Sequence, residues 1–167
     1  NSRNWQKDHW KSIYLSYSKY PFFNKYKKEL EDIYLKKWEK LIDINSALLF
    51  IFLRWLDIKT KIVRASEYKL KKHKSDLIIE MCQRLKFNNY LFGALGENYC
   101  DKESFNNNGI KPLFQKYNHP KYEVIKGRKF YKYLCILDLI FYHGDKSREI
   151  IEKENFSKED YLRQLKV

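Results

Sequence analysis

The segment Tyr90-Leu-Phe-Gly-Ala-Leu-Gly-Glu-Asn-Tyr-Cys-Asp101 contains two of the five glycines in this chain of 167 residues. A short apolar run leads into Gly93 and Gly96, and Asp101 follows them. Glycine is used where the backbone turns left-handed or where another group must approach closely. A strand that ends in glycines and leads into a helix is typical of the wall of a ligand cleft. We therefore predict that Gly93, Gly96, Tyr99 and Asp101 shape a ligand-binding site.

The middle of the chain predicts a small, mostly parallel sheet of about three strands. Extended runs with β-branched or aromatic residues occur at Ile58 to Ala65, Asn89 to Gly93 and Ile110 to Tyr117. Helical patterns separate them, as crossover connections between parallel strands require. The sequence therefore indicates an α/β fold, with residues 1–167 forming a single domain.

Before and after these strands in the chain, helices are predicted from the 3.6-residue spacing of apolar side chains. The expected ranges are 9–20, 24–41, 45–56, 130–143 and 147–155, followed by a last helix that begins at the capping box Ser157-Lys-Glu-Asp160. The helix over 45–56 is apolar nearly all round, which is typical of a helix in the centre of a core.

The formal net charge of +13 leaves two interpretations open. Lysines outnumber arginines by 27 to 7 and are spread along the chain, which favours a solvated lysine surface. The same charge also suits an anionic partner, and a basic nucleic-acid-binding module is the corresponding alternative function.

The three cysteines form no CxxC or Cys/His cluster, so we predict no metal site, and the sequence indicates no particular cofactor. Free cysteines of this kind favour a reducing, cytoplasmic location. The longest apolar run, Ala47 to Leu53, is too short for a membrane span.

Two residues are the candidates for catalysis. Asp138 interrupts an otherwise apolar helical run, so its carboxylate either caps another element or faces a polar cleft. His119 follows the third predicted strand and is either a general base or a turn histidine bonded to backbone. Lys74, Arg128 and Lys129 are candidate partners of an anionic ligand, or else exposed surface charges.

Several segments, taken together, resemble a known family. In both, a helix with a histidine is followed by a glycine segment, a His-Pro step and a final apolar segment that contains an aspartate. In this chain the segments are His9-Trp-Lys-Ser-Ile13 with Tyr17, Lys74-Ser-Asp-Leu-Ile78, Tyr90-Leu-Phe-Gly93, Tyr117-Asn-His-Pro120 and Cys135-Ile-Leu-Asp-Leu-Ile-Phe141. The chain is thereby similar to the WbqC-like protein family of bacteria over about residues 5–150. Cys135 and Tyr142 depart from the family's usual Ser and Asn.

The resemblance implies ligand-binding roles for His9, Tyr17, Lys74 and Tyr90. It also implies a role in O-antigen, lipopolysaccharide or other surface-polysaccharide biosynthesis, with an acyl or aminoacyl transferase acting on an activated amino sugar as one hypothesis. The expected substrate is a small molecule, either a sugar nucleotide or a thioester.

The family pattern also includes an N-terminal part with a His-Gln-Pro motif and an Asn-Arg pair, which these residues do not contain. We expect the chain to be the C-terminal part of a longer protein, with the missing region packing on it. A non-catalytic partner-binding domain is then a further alternative, because separation from that region would expose apolar surface.

Overall fold

The computed structural model of the chain describes residues 4–164, which fall into two compact units. The first unit combines the chain up to residue 59 with residues 119–153, and the second combines residues 60–118 with the chain from residue 154 onward. The first unit is therefore built from two stretches of sequence that are separated by most of the second.

The fold is helix-rich and contains a small parallel sheet, so it belongs to the α/β class. In chain order the elements are α1 (Trp5–Tyr17), α2 (Phe23–Leu35), α3 (Leu41–Trp55), α4 (Lys74–Leu85), β1 (Asn89–Phe92), α5 (Lys102–Asn107), β2 (Lys111–Phe114), α6 (Ile136–His143), α7 (Ser147–Glu152) and α8 (Lys158–Gln164). Among the residues described, no helix is both long and apolar enough to cross a membrane.

The core of the first unit is aromatic and lies between α2 and α6. Helix α2 buries Phe23, Tyr26, Leu30 and Tyr34, which recur at helical spacing and form one inward face. Helix α6 buries five successive residues, 137–141, so it is enclosed on all sides. Because burial of each aromatic ring removes about 150–250 Å² from water, these rings dominate the stability of the unit.

The second unit is built around the two parallel strands. Asn89 pairs with Lys111 and Phe92 with Phe114, and the connection between the strands runs through a short 3₁₀ helix and α5. A second apolar cluster packs around them and consists of Ile79, Cys82, Phe92, Phe105 and Ile110. The capping box at the start of α8 is confirmed, because Asp160 accepts hydrogen bonds from both the backbone N–H and the hydroxyl of Ser157.

The sheet has two strands, because the strand predicted over Ile58 to Ala65 does not form. This stretch is irregular and leads into a short 3₁₀ helix, Ala65–Tyr68. Its two β-branched residues, Ile62 and Val63, are exposed. Two apolar residues between lysines and an arginine bury too little surface to hold a strand against an edge.

Three helix predictions are wrong in their bounds or their position. Helix α2 ends at Leu35 rather than at 41, and α3 begins at Leu41 rather than behind an Asn-Ser cap. Helix α3 is not central, since Ile44 is its one buried residue. The helix predicted from residue 130 begins only at Ile136, because the preceding aromatic residues lie at the surface rather than on a buried face.

Candidate functional site

Asp138 lies in the first turn of α6 with only 4% of its surface exposed. Its Oδ1 accepts a hydrogen bond from the hydroxyl of Tyr20 at 3.1 Å, and its Oδ2 accepts one from the hydroxyl of Tyr122 at 3.4 Å. Burying a carboxylate is costly unless donors replace water, and the two phenols supply those donors. The apolar run of α6 therefore carries a polar group that side chains from two other segments stabilise.

A cavity of about 330 Å³ opens beside this carboxylate. Its lining mixes aromatic, cationic and acidic side chains, and the residues are Ser16, Tyr17, Tyr20, Val124, Arg128, Lys129, Tyr131, Leu134 and Asp138. The volume is at the lower end of the range for small-molecule sites, about 300–1,000 Å³. Asp138 is buried, whereas Arg128 and Lys129 are exposed, so the cavity is acidic inside and basic at its rim.

Arg128 is fixed at this rim by two hydrogen bonds. Its Nη1 donates to the hydroxyl oxygen of Tyr20 at 3.4 Å, and its Nη2 donates to the backbone carbonyl of Ser16 at 3.2 Å. The guanidinium also lies over the Tyr20 ring, 5.7 Å from the ring centre, where the ring's electron density attracts a cation. The Tyr20 hydroxyl thus links the rim cation to the buried carboxylate.

Tyr17 faces the same cavity as a neutral hydrogen-bond donor. Burial raises its pKa to about 12, and the negative charge of Asp138 acts in the same direction. Burial also raises the pKa of Tyr20, again with the support of Asp138. Both phenols therefore keep their protons throughout the physiological pH range and can donate to the carboxylate or to a ligand.

His119 has both ring nitrogens bonded to backbone atoms. Its Nε2 accepts from the N–H of Tyr133 at 2.9 Å, and its Nδ1 lies 2.9 Å from the carbonyl oxygen of Pro120. Because Nε2 accepts, the proton is assigned to Nδ1, which donates to the carbonyl. His119 does not line the cavity, and its ring centre lies 6.2 Å from that of Tyr122, which contacts Asp138.

His9, the other histidine predicted at the site, is an exposed residue of α1. Its ring centre lies 5.4 Å from the ring of Trp5 and 6.2 Å from that of Tyr34. The contact with Tyr34 joins α1 to α2. Among residues 4–164, no three His, Cys, Asp or Glu side chains lie together in a group that could hold a metal ion.

The predicted glycine segment lies in the second unit and includes one glycine with a clear packing role. A Cβ on Gly96 would lie 2.3 Å from the Cβ of Phe92, so only glycine allows this close approach. Gly93 has an ordinary backbone φ of −63° and open space beside it. Tyr90 packs against Phe92, with ring centres 4.7 Å apart, whereas Tyr99 is largely exposed.

Asp101 and Lys74 begin two helices of the second unit. The carboxylate of Asp101 accepts a hydrogen bond from the N–H of Ser104 at 3.0 Å and so caps α5. Asp101 also lines a shallow hollow of about 280 Å³ with other polar residues of α5. Lys74 is exposed at the start of α4 and has a left-handed φ of 52°.

Within the first unit, the cavity brings together four residues that the sequence singled out, namely Tyr17, Arg128, Lys129 and Asp138. Sequence reasoning missed the two phenol donors, Tyr20 and Tyr122. A buried carboxylate signals that donors are required, but neither tyrosine is near Asp138 in the chain. The six predicted site residues of the second unit, Lys74, Tyr90, Gly93, Gly96, Tyr99 and Asp101, do not line this cavity.

Comparison with known proteins gives the family. The sequence model of the WbqC-like protein family matches residues 1–150. The chain belongs to the WbqC-like protein family. Rv1507c of Mycobacterium tuberculosis (strain ATCC 25618 / H37Rv), an uncharacterized protein, is similar to this WbqC-like chain, with 27% identity over 143 residues. The match covers 84% of this chain and 62% of the relative, so the chain spans less than two thirds of that protein. No solved structure matches.

Proposed function

We propose that this WbqC-like protein is a cytoplasmic enzyme of bacterial surface-polysaccharide biosynthesis, of the kind that supplies O-antigen or lipopolysaccharide. It binds a small-molecule substrate, a sugar nucleotide or a thioester, in the cavity beside Asp138. There it transfers an acyl or aminoacyl group to the amine of an activated amino sugar. The observation that carries this proposal is a buried carboxylate at the inner end of a cavity with a basic rim.

The carboxylate suits an amine because it can accept further hydrogen bonds. Each oxygen of Asp138 accepts one bond from a tyrosine, and a carboxylate oxygen offers about two acceptor positions. One position on each oxygen is therefore available to a ligand. An amine or a sugar hydroxyl held there donates to Asp138, while Tyr17 supplies a neutral donor on another side.

The transfer uses Asp138 as the proton acceptor. The nitrogen lone pair of the amino sugar attacks the thioester carbonyl, a C–N bond forms, the C–S bond breaks and the sulfur leaves as a thiolate. Asp138 takes the proton that the nitrogen loses, as a positioned general base. Holding the amine against a fixed carboxylate also removes much of the entropic cost of bringing the reactants together.

We assign a positioning role to His119. Its two backbone hydrogen bonds hold the loop that carries Tyr122, and Tyr122 contacts Asp138. Likewise, we assign Gly96 and Asp101 to the packing and capping of the second unit. Lys74, Tyr90, Gly93 and Tyr99 stay candidates for ligand contact within that unit.

The test is a transfer assay with an amino-sugar nucleotide and an acyl-CoA, in which the amide product is detected by mass spectrometry. D138N keeps the size of the side chain but removes the base, so we expect turnover to fall by about 10²–10⁴-fold. D145N is the matched control, because Asp145 is an exposed carboxylate that pairs with Lys25. Equal turnover by D138N and the unmodified chain would exclude the proposed base.

A specific observation also favours partner binding as a second candidate. Helix α3 leaves Ile42, Leu49 and Phe50 exposed on its outer side, at helical spacing. In this alternative the N-terminal region that the family pattern contains packs on α3. Light scattering of L49E/F50E beside the unmodified chain tests it. A monomeric unmodified chain with no gain in solubility from the substitutions would contradict it.

A further inference from the structure

A long loop, residues 119–135, passes the rim of the cavity and contains no helix or strand. Irregular loops of this length in compact proteins usually serve function. The loop is strongly basic, with five cationic residues and one acidic residue, and these are Lys121, Glu123, Lys126, Arg128, Lys129 and Lys132. It supplies five of the nine lining residues of the cavity, including both of its cations.

Chemical character changes in order from the inside of the cavity to its rim. The buried end offers the carboxylate of Asp138, which accepts hydrogen bonds. Arg128 and Lys129 follow as exposed cations, and Tyr131 adds an aromatic ring that is 58% exposed. From the inside outward, the cavity therefore offers a hydrogen-bond acceptor, then positive charge, then an aromatic surface for stacking.

We infer that the rim binds the nucleoside diphosphate part of the substrate. Arg128 and Lys129 contact the diphosphate, Tyr131 stacks on the base, and the sugar points inward to Asp138. The inference deepens the proposed function, on which it rests, by giving the cavity a nucleotide-linked substrate and a direction of binding.

Arg128 is suited to the diphosphate because it is held in place with donors to spare. Its two hydrogen bonds use two of the five guanidinium N–H groups. A planar guanidinium with its orientation fixed binds phosphate oxygens in pairs, which an ammonium group does not. R128K therefore keeps the charge but loses this paired contact.

Lys129 connects the phosphate and base subsites. Its Nζ lies 5.7 Å from the centre of the Tyr131 ring, so the charge and the stacking surface are adjacent. Nucleobases stack on aromatic rings whatever their identity, because each base has a π-face. A base on Tyr131 would therefore place its phosphates beside Lys129.

The cavity favours a mononucleotide over a polynucleotide. Proteins that bind single strands use an open groove with successive aromatic platforms. Here the lining offers one exposed ring at the rim, and the cavity leads inward to a buried carboxylate, which repels a phosphate backbone. Coenzyme A also carries a nucleoside diphosphate, so the two sources must be separated by experiment.

Isothermal titration of the 167-residue chain with UDP, ADP, coenzyme A and inorganic diphosphate tests the inference. We expect at least one nucleoside diphosphate to bind more tightly than inorganic diphosphate. Y131A should weaken the binding of that nucleotide about tenfold, because the base loses its stacking partner, and should leave the affinity for inorganic diphosphate unchanged. K129M and R128K should each weaken the binding of both the nucleotide and inorganic diphosphate.

Matched controls are F87A for the ring, at an exposed aromatic residue of the second unit, and K132M for the charge, on the same loop. Neither residue lines the cavity, so neither variant should change any dissociation constant. Tighter binding of UDP than of ADP or coenzyme A assigns the rim to a sugar nucleotide, and the reverse order assigns it to the thioester.

Three results would overturn the inference: no binding of any of these ligands, equal binding of UDP and inorganic diphosphate with no effect of Y131A, or displacement of UDP by a short single-stranded oligonucleotide of higher affinity. Failure here is separable from failure of the proposed transfer. Loss of nucleotide binding with transfer intact removes only the inference, whereas nucleotide binding without any amide product removes only the proposed reaction.

Discussion

The hydroxyl of Tyr20 donates to Oδ1 of Asp138 at 3.1 Å, across 118 positions of sequence. Tyr20 lies between α1 and α2, and Asp138 lies in α6. Both residues are 4% exposed, so this bond forms away from water and links the two stretches of the first unit. One contact thus serves both the stability of the unit and the geometry of the cavity.

We expect Y20F to destabilise the first unit by about 1–3 kcal/mol, because it removes a donor from a buried carboxylate. Y26F is the control. Tyr26 is equally buried and also donates to a carboxylate, but its partner Asp145 is exposed and can turn to water. All four tryptophans lie in the first unit, so their fluorescence during urea unfolding reports on that unit alone. Equal losses in the two variants would contradict a special role for Asp138.

We expect G144A to be more damaging than G127A. Both glycines have a positive φ, at 56° and 89°, which costs a residue with a Cβ about 1 kcal/mol. At Gly144 the new Cβ would also lie 2.6 Å from the Phe22 ring, whereas Gly127 has nothing within 4 Å. Overpacking adds about 1–3 kcal/mol for G144A alone. Similar urea midpoints for both variants would show that the ring moves aside freely.

Alkaline unfolding should depend on Tyr17. Its pKa is about 12 in the folded chain and 10 in the unfolded chain, so the unfolded state loses its proton first. The contribution of the Tyr17 phenol to the free energy of unfolding is fully present below pH 10 and is lost as the pH rises to 12. Y17F has no proton to lose, so its unfolding free energy should decline less steeply over this interval. Parallel curves for the two proteins would rule out the contribution.

D101A separates capping from ligand binding. Loss of the hydrogen bond to the Ser104 N–H should destabilise α5 by about 1 kcal/mol, and D101N should recover most of this because Asn also caps helices. Amide hydrogen exchange over residues 102–107 measures the effect locally. If D101A instead leaves exchange unchanged but abolishes substrate binding, Asp101 belongs to the ligand site.

The parts of the fold that follow from local sequence were predictable. The spacing of apolar residues on α2 and the capping box of α8 depend on neighbours in the chain. Strands β1 and β2 lie within extended runs that their own residues predicted. The failed strand at Ile58 to Ala65 shows the limit. Its β-branched pair has strand propensity, but a strand also requires a partner edge and a face to bury, which local pattern does not reveal.

The candidate site was predictable in part for the same reason. An aspartate within the apolar run of α6 indicated that the carboxylate needs polar partners. Which residues satisfy it depends on packing between distant segments, so Tyr20 and Tyr122 could not be found from spacing. A histidine before proline suits a turn as well as a catalytic centre, and the ring nitrogens of His119 bind backbone atoms.

The interruption of the first unit by the second has a consequence for synthesis on the ribosome. Phe23 packs against Phe141, so α2 cannot complete the burial of its aromatic face until almost the whole chain has been translated. Both strands and the apolar cluster of the second unit come from residues 60–118, one uninterrupted stretch, so this part of the unit can fold earlier. We therefore expect nascent chains to protect residues 60–118 from proteases while the N-terminal helices still expose aromatic surface, which makes this interval the one in which chaperones are needed.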